Sequence, residues 1–169
     1  MQYLSQDEIR ATLDKAASEN SDDYVLLTIL LQTGLRASEL ISLTPYNVLN
    51  DALNIRGKGL KYRMIDISPV VQKLLASHIR LAKLGPADKL FKMDRSNLYR
   101  LCKYYSGKNP HAFRHTYAIN LLRETKNVRF VQKQLGHSSL QITEKYLQFA
   151  EYDIEKSQLP NLYRNKVNP

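Results

Sequence analysis

A single cysteine, Cys102, stands among 169 residues, so the chain cannot close an internal disulfide. It must hold together by its core alone, which suits a reducing interior. Long apolar runs are missing too. None approaches the roughly 20 residues that cross a bilayer, and no basic-then-apolar leader opens the chain. These absences lead to the expectation of a soluble, cytoplasmic protein. There is no internal repeat, no low-complexity tract and no stretch that reads as a linker. The acidic residues form no recognisable metal-binding motif, which speaks against a metal-dependent nuclease.

What is present fits one domain with a sizeable core, since 43% of the residues are apolar. Charge is unevenly placed. Residues 1–50 hold three basic and seven acidic side chains, whereas residues 51–169 hold 22 basic and nine acidic. The net charge is +9. A one-sided basic surface attracts a polyanion, and nucleic acid is the obvious partner class. A solvated surface without a partner would look the same by composition.

The hydrophobic period predicts a mainly helical chain. Ser5-Gln-Asp-Glu8 reads as a capping box that starts a helix to about Ser18. Tyr24 to Gln32 reads as a buried helix stopped at Gly34, and Arg36 to Leu43 as a short one closed by Pro45. Leu53–Arg56 and Arg63–Ile67 alternate around a Gly-rich connection, which predicts a β-hairpin. Further helices are expected from Pro69 to about Lys83, from Asp94 or Ser96 to about Tyr105, and from His111 to about Glu124. Two more follow, from Val128 to Leu135 and from Ser138 or Ser139 to about Ala150. Residues 151–169 are polar, with room for one short helix before Pro160. The fold class is α+β, mainly helical, with a small antiparallel sheet.

Six residues carry the chemistry: Arg36, Lys58, His111, Arg114, His137 and Tyr146. Singly each has an ordinary explanation. Arg36 and Glu39 make a common i, i+3 pair. Lys58 could be a solvated hairpin lysine, His137 could cap the helix before it, and Tyr146 is one of 11 tyrosines. Together they describe attack on a phosphodiester. Two arginines can clamp its non-bridging oxygens, and a histidine can donate to those oxygens or move a proton. A lysine can protonate the leaving alkoxide, and a tyrosine can attack once surrounding cations lower its pKa. The helix opening at His111 adds its partial positive charge. Arginines supply the electrostatics, so no metal or other cofactor is needed.

The motifs T-G-L-R-x-S-E-L, G-K-G-x-K-x-R, H-x-F-R-H-T-x-A, L-G-H-S-S and T-x-x-Y, in this order, resemble the tyrosine recombinase (phage integrase) family. The resemblance runs from the opening helix to just beyond Tyr146. It implies a catalytic domain for site-specific DNA recombination through a 3′-phosphotyrosyl intermediate, acting in the cytoplasm with the nucleoid. Arg36 and Arg114 would hold the scissile phosphate, and Lys58 would be the general acid for the departing 5′ hydroxyl. His111 would take the tyrosine proton or help do so, and His137 would hydrogen-bond the phosphate. Glu39 would organise the basic groups, and Tyr146 would be the nucleophile. His115 reads as structural. With His111 it makes an i, i+4 pair that could ligate zinc, but without the Glu of a metalloprotease. The implied partners are double-stranded DNA and three further copies in a tetrameric synapse, weak in an isolated domain.

Residues 1–169 are expected to form a single catalytic domain, lacking the family's N-terminal DNA-binding domain. Residues 151–169 would dock onto a neighbouring protomer. Two rival readings remain from the sequence: DNA relaxation of the type IB topoisomerase kind, and a DNA-binding module without catalysis.

Overall fold

The computed structural model describes residues 1–57 and 62–150. The hairpin connection at 58–61 and the tail at 151–169 lie outside the described residues. The expectations for Lys58, for a helix before Pro160 and for protomer docking fall there.

Eight α-helices, a 3₁₀ turn, one hairpin and a helical turn at 147–150 are found among the described residues. The helices are α1 (Gln6–Glu19), α2 (Ser21–Thr33), α3 (Ala37–Ser42), α4 (Pro69–Leu81), α5 (Arg95–Ser106), α6 (Pro110–Thr125), α7 (Val128–Leu135) and α8 (Leu140–Glu144). Strands β1 (Ala52–Arg56) and β2 (Tyr62–Asp66) pair antiparallel, with Leu53 opposite Ile65 and Arg56 opposite Tyr62. A 3₁₀ turn at Pro45–Asn47 joins α3 to the hairpin. None of the described helices is long and apolar enough to cross a membrane.

The capping box at the start of α1 forms as expected. The Glu8 backbone amide donates to Ser5 Oγ at 3.2 Å, and the Ser5 amide donates to the Glu8 carboxylate at 2.7 Å. Helix α2 starts earlier than its apolar stretch suggests, because Asn20 Oδ1 accepts from the amides of Asp22 and Asp23. Asp94, not Ser96, caps α5, and Ser139, not Ser138, caps α8.

α2 is the centre of the packing. Residues Val25 to Leu31 are buried on every face, against α1, α4 and α6. A helix apolar all round must sit inside the domain. The main core joins α1–α5, the hairpin and the start of α6. A second cluster gathers Tyr117, Ile119, Leu122, Val131, Leu135 and Tyr146 between α6, α7 and the chain beyond α8.

Two helix ends decide where the site lies. α2 ends at Gly34 and α7 at Gly136, with φ of 60° and 62°. This left-handed conformation suits glycine, which has no Cβ to clash. Space demands glycine as well: a Cβ on Gly34 would run into the Tyr117 ring, and one on Gly136 into the Arg63 side chain. Both turns expose helix-terminal carbonyls toward the same buried arginine.

Candidate active site

That arginine is Arg114, on α6 and only 4% exposed. Its Nη1 donates to the Gly34 carbonyl and its Nη2 to the Leu135 carbonyl, each at 2.6 Å. The guanidinium thus bolts the ends of α2 and α7 together. Arg36 follows directly from the Gly34 turn and begins α3. Its Nη1 donates to Glu39 Oε1 at 2.9 Å, and its Nη2 reaches the Gly136 carbonyl at 3.5 Å.

Glu39 collects three donors. Its Oε2 accepts from the Arg36 backbone amide at 2.7 Å and from Arg63 Nη2 at 3.0 Å, beside the Arg36 pair. Glu39 is buried, with its side chain 7% exposed, while Arg36 remains 41% exposed. A carboxylate so enclosed holds two arginines in fixed positions and leaves the rest of Arg36 open to a ligand. Arg63, projecting from β2, is the member that sequence reading left without a role. Its only signal was the last R of G-K-G-x-K-x-R. Its Nε and Nη1 atoms are buried with no hydrogen-bond partner among the described residues.

A cleft of about 270 Å³ is lined by Arg36, Ser38, Arg95, Tyr99, His111 and Arg114. Arg36 also borders a wider groove with Glu39, Arg56, Arg63 and His137. His111 sits in the first turn of α6, exposed at the mouth of the cleft. Arg114 follows one turn on along the same helix.

Tyr146 is 3% exposed. Sequence periodicity extends the last helix unbroken to about Ala150, but α8 stops at Glu144, residues 145–146 form a turn, and the chain is helical again over 147–150. The Tyr146 amide donates to the Thr143 carbonyl at 3.0 Å, a tighter i to i−3 bond. Its ring joins the second hydrophobic cluster. The ring stacks at 10° on His137, with centroids 6.2 Å apart. Its hydroxyl lies 2.9 Å from His115 Nδ1. His137 is oriented in turn by a hydrogen bond of 2.8 Å between its Nδ1 and Thr143 Oγ1. The His111 and His115 rings stack with centroids 6.0 Å apart, and His115 Nδ1 faces the Tyr146 hydroxyl.

The electrostatics follow from burial and like charge. Burial first, and then Arg36, push the Arg114 pKa down to about 10, still well above neutral. Burial lowers that of Arg63 too, against the pull of Glu39. Three guanidiniums against one carboxylate leave two positive charges that an anion would offset. For Tyr146 the sequence expectation needs correction. Arg114 and Arg36 do favour the phenolate, but burial outweighs them and raises the pKa above its ordinary 10. The hydroxyl therefore keeps its proton at neutral pH and needs an acceptor.

His115 and His137 are both pushed down to about 4 from 6.5. Burial is the first cause for each. His111 and Arg114 add to it at His115, and Arg114 and Arg36 at His137. A histidine with a folded-state pKa below its unfolded value takes its proton more readily when the chain unfolds. Its contribution is complete above pH 6.5 and is lost as pH falls toward 4. The expected result is a stability loss of roughly 2 kcal/mol for the pair between pH 7 and pH 5, after discounting their partial exposure. Urea unfolding at each pH measures it. The double change His115→Gln with His137→Gln flattens that slope, and a slope unchanged in the double variant refutes the assignment.

The helical fold, with its small hairpin and arginine-lined cleft, is that of a tyrosine recombinase catalytic domain. The XerA recombinase structure matches with a TM-score of 0.82 and 29% identity, covering 95% of this chain and 64% of that one. The catalytic domain of bacteriophage HP1 integrase shares the fold over 99% of both chains, at a TM-score of 0.73 and 22% identity. The chain belongs to the phage integrase family, whose model matches residues 2–152. A tyrosine recombinase of Pseudothermotoga lettingae is 31% identical over 165 residues, covering 89% of this chain and 57% of that protein. The chain thus spans little more than half the length of this relative.

Proposed function

We propose that this chain cleaves and rejoins double-stranded DNA in site-specific recombination, with Tyr146 as the nucleophile. The observation that carries the reading is the meeting of Arg36, Arg114, His137 and Tyr146 from four separate segments, around fixed guanidiniums with excess positive charge. A phosphodiester in the cleft gives that charge its counterpart. Arg36 and Arg114 hold the non-bridging oxygens, and His137 donates a hydrogen bond to them. His111, at the mouth, assists proton movement. Glu39 positions Arg36. Tyr146 attacks phosphorus and leaves a 3′-phosphotyrosyl bond, while Lys58 protonates the 5′ oxygen. The bond energy is kept for rejoining. Recombination joins four strands, so four copies assemble on DNA at the nucleoid, in the cytoplasm. The recombinase relatives named above support the reading.

The test is a covalent trap. The protein is incubated in chelator with a pool of nicked duplexes whose short released strand diffuses away, and denaturing gels display any protein–DNA adduct. An adduct at Tyr146 is the expected result. Failure with a target and an N-terminal DNA-binding domain supplied would overturn the proposal. For Lys58, Lys58→Ala slows adduct formation by roughly 100-fold or more, as loss of a general acid does. Replacing the leaving oxygen by sulfur, which leaves without a proton, restores the rate. Absence of that restoration removes Lys58 as the acid.

A further inference from the structure

Family resemblance gives the tyrosine proton to His111, yet His111 is exposed at the mouth of the cleft. The side chain that touches the Tyr146 hydroxyl is His115, one turn further into the domain. Its Nδ1 lies 2.9 Å from the phenolic oxygen, with ring centroids 5.7 Å apart. That is hydrogen-bond reach for a proton transfer. No other histidine is so placed among the described residues. His137 stacks on the ring and commits its Nδ1 to Thr143. His78 is packed elsewhere, against Leu90 and Phe91.

Resting on the reading of Tyr146 as nucleophile, we infer that His115 is a catalytic residue, the direct proton acceptor for the Tyr146 hydroxyl during cleavage and the donor during rejoining. In cleavage the phenolic O–H bond breaks and its proton passes to the Nδ1 lone pair. The phenolic oxygen bonds to phosphorus, the bond from phosphorus to the bridging oxygen breaks, and that oxygen takes the proton of Lys58. Rejoining reverses each transfer, and His115 returns its proton to the phenolate.

The surroundings of His115 support this use. The titratable groups facing it are His111 and Arg114 on α6, Tyr146 beyond α8, His137 beyond α7 and the amino group of Met1. Burial first, and then His111, Arg114 and the Met1 amino group, push its pKa down to about 4, so the imidazole is neutral at physiological pH. A neutral ring can accept. A phosphodiester seated on Arg36 and Arg114 supplies negative charge beside it and makes it a stronger base at the moment of need. The i, i+4 spacing on α6 then has a division of labour: His111 faces the phosphate and His115 faces the nucleophile.

Two measurements test the inference on the full chain. The first is ¹⁵N NMR of histidine-labelled protein at neutral pH without DNA, which reports the tautomer of His115. The expected form carries its proton on Nε2 and leaves Nδ1 bare. A proton on Nδ1 makes His115 a donor to the tyrosine and overturns the inference, whatever the variants do. The second is the pH dependence of initial adduct formation on the nicked-duplex pool, for wild type, His115→Gln and His115→Asn. Each variant is expected to react roughly 100-fold more slowly at pH 7. The gap narrows as pH rises, because hydroxide then removes the phenolic proton. The more acidic 3,5-difluorotyrosine at position 146 speeds the variants more than the wild type. A purely structural role lowers the rate by one factor at every pH and for either phenol, and that result overturns the inference alone. A wild-type chain that forms no adduct, even with a clamp domain and target supplied, overturns the nucleophile reading and this inference with it. Should both variants fail to fold, the tautomer measurement on the wild type still decides.

Discussion

Replacing Tyr146 with phenylalanine eliminates the covalent adduct, with no residual product on the denaturing gel, while DNA affinity changes by less than about twofold. Only one oxygen is removed, and it is the atom proposed to attack phosphorus, so no partial activity survives. Affinity is set elsewhere, by cations on phosphates, and falls steeply with salt because binding releases counterions. The ring stays in its cluster with Tyr117 and Leu135, so packing is kept. The one structural loss is the 2.9 Å hydrogen bond to His115, a matter of about 1 kcal/mol. In a chain of this size that lowers the melting temperature by roughly 2–4 °C. The adduct gel, a salt titration of DNA binding and a thermal melt separate these three effects. An adduct that persists in Tyr146→Phe moves the nucleophile to another residue. A loss of affinity as large as that of Arg36→Ala makes Tyr146 a binding residue instead.

Arg114→Lys is expected to slow adduct formation by roughly a thousandfold, the scale of losing one fixed donor to a developing oxyanion. The charge is retained, so the effect measures geometry. A guanidinium presents its donors in a rigid fork, and here two are already spent on the Gly34 and Leu135 carbonyls. A lysine ammonium, a single nitrogen, does not reproduce the two separate Nη contacts and offers no planar edge to a phosphate. The same substitution lowers stability by about 1–2 kcal/mol, because one helix-end carbonyl is left buried without a donor. Arg114→Ala strands both carbonyls, opens a cavity, and is expected to lose about 3 kcal/mol. Urea unfolding gives the stability and initial adduct rates give the chemistry. A lysine variant that cleaves within tenfold of the wild type shows that Arg114 is a bolt between α2 and α7 and nothing more.

Much of the architecture was legible in the chain. The capping box Ser5–Glu8, the glycine stops at Gly34 and Gly136, and the alternation on either side of Gly57 each reflect a local rule of backbone sterics or side-chain period. Local rules act within a few residues, so a sequence displays them. Helix α2 shows where this stops: its apolar run marks the buried part, but its start lies three residues earlier, set by the Asn20 cap. α8 shows the same limit at its other end. Periodicity carries a helix through Tyr146, whereas the turn at 145–146 delivers the ring into the cluster of Tyr117 and Leu135. Packing across 29 residues of chain outweighs the local preference there.

The candidate site divides along the same line. Sequence by itself determined the residue types and their order: arginine, lysine, His-x-x-Arg, histidine, tyrosine, with the phosphoryl chemistry that such a set can perform. It also determined the i, i+3 pair of Arg36 and Glu39, which forms at 2.9 Å. Tertiary structure alone decided which groups touch. Arg114 meets carbonyls 80 and 21 residues away, Arg63 joins Glu39 across 24 residues, and the Tyr146 hydroxyl finds His115 rather than His111 across 31. It also decided the sign at Tyr146, where burial overrides the arginines. The physical reason is common to all of these. Charge and hydrogen-bonding capacity belong to a side chain, but distance and desolvation belong to the fold, and both vary steeply over a few ångströms.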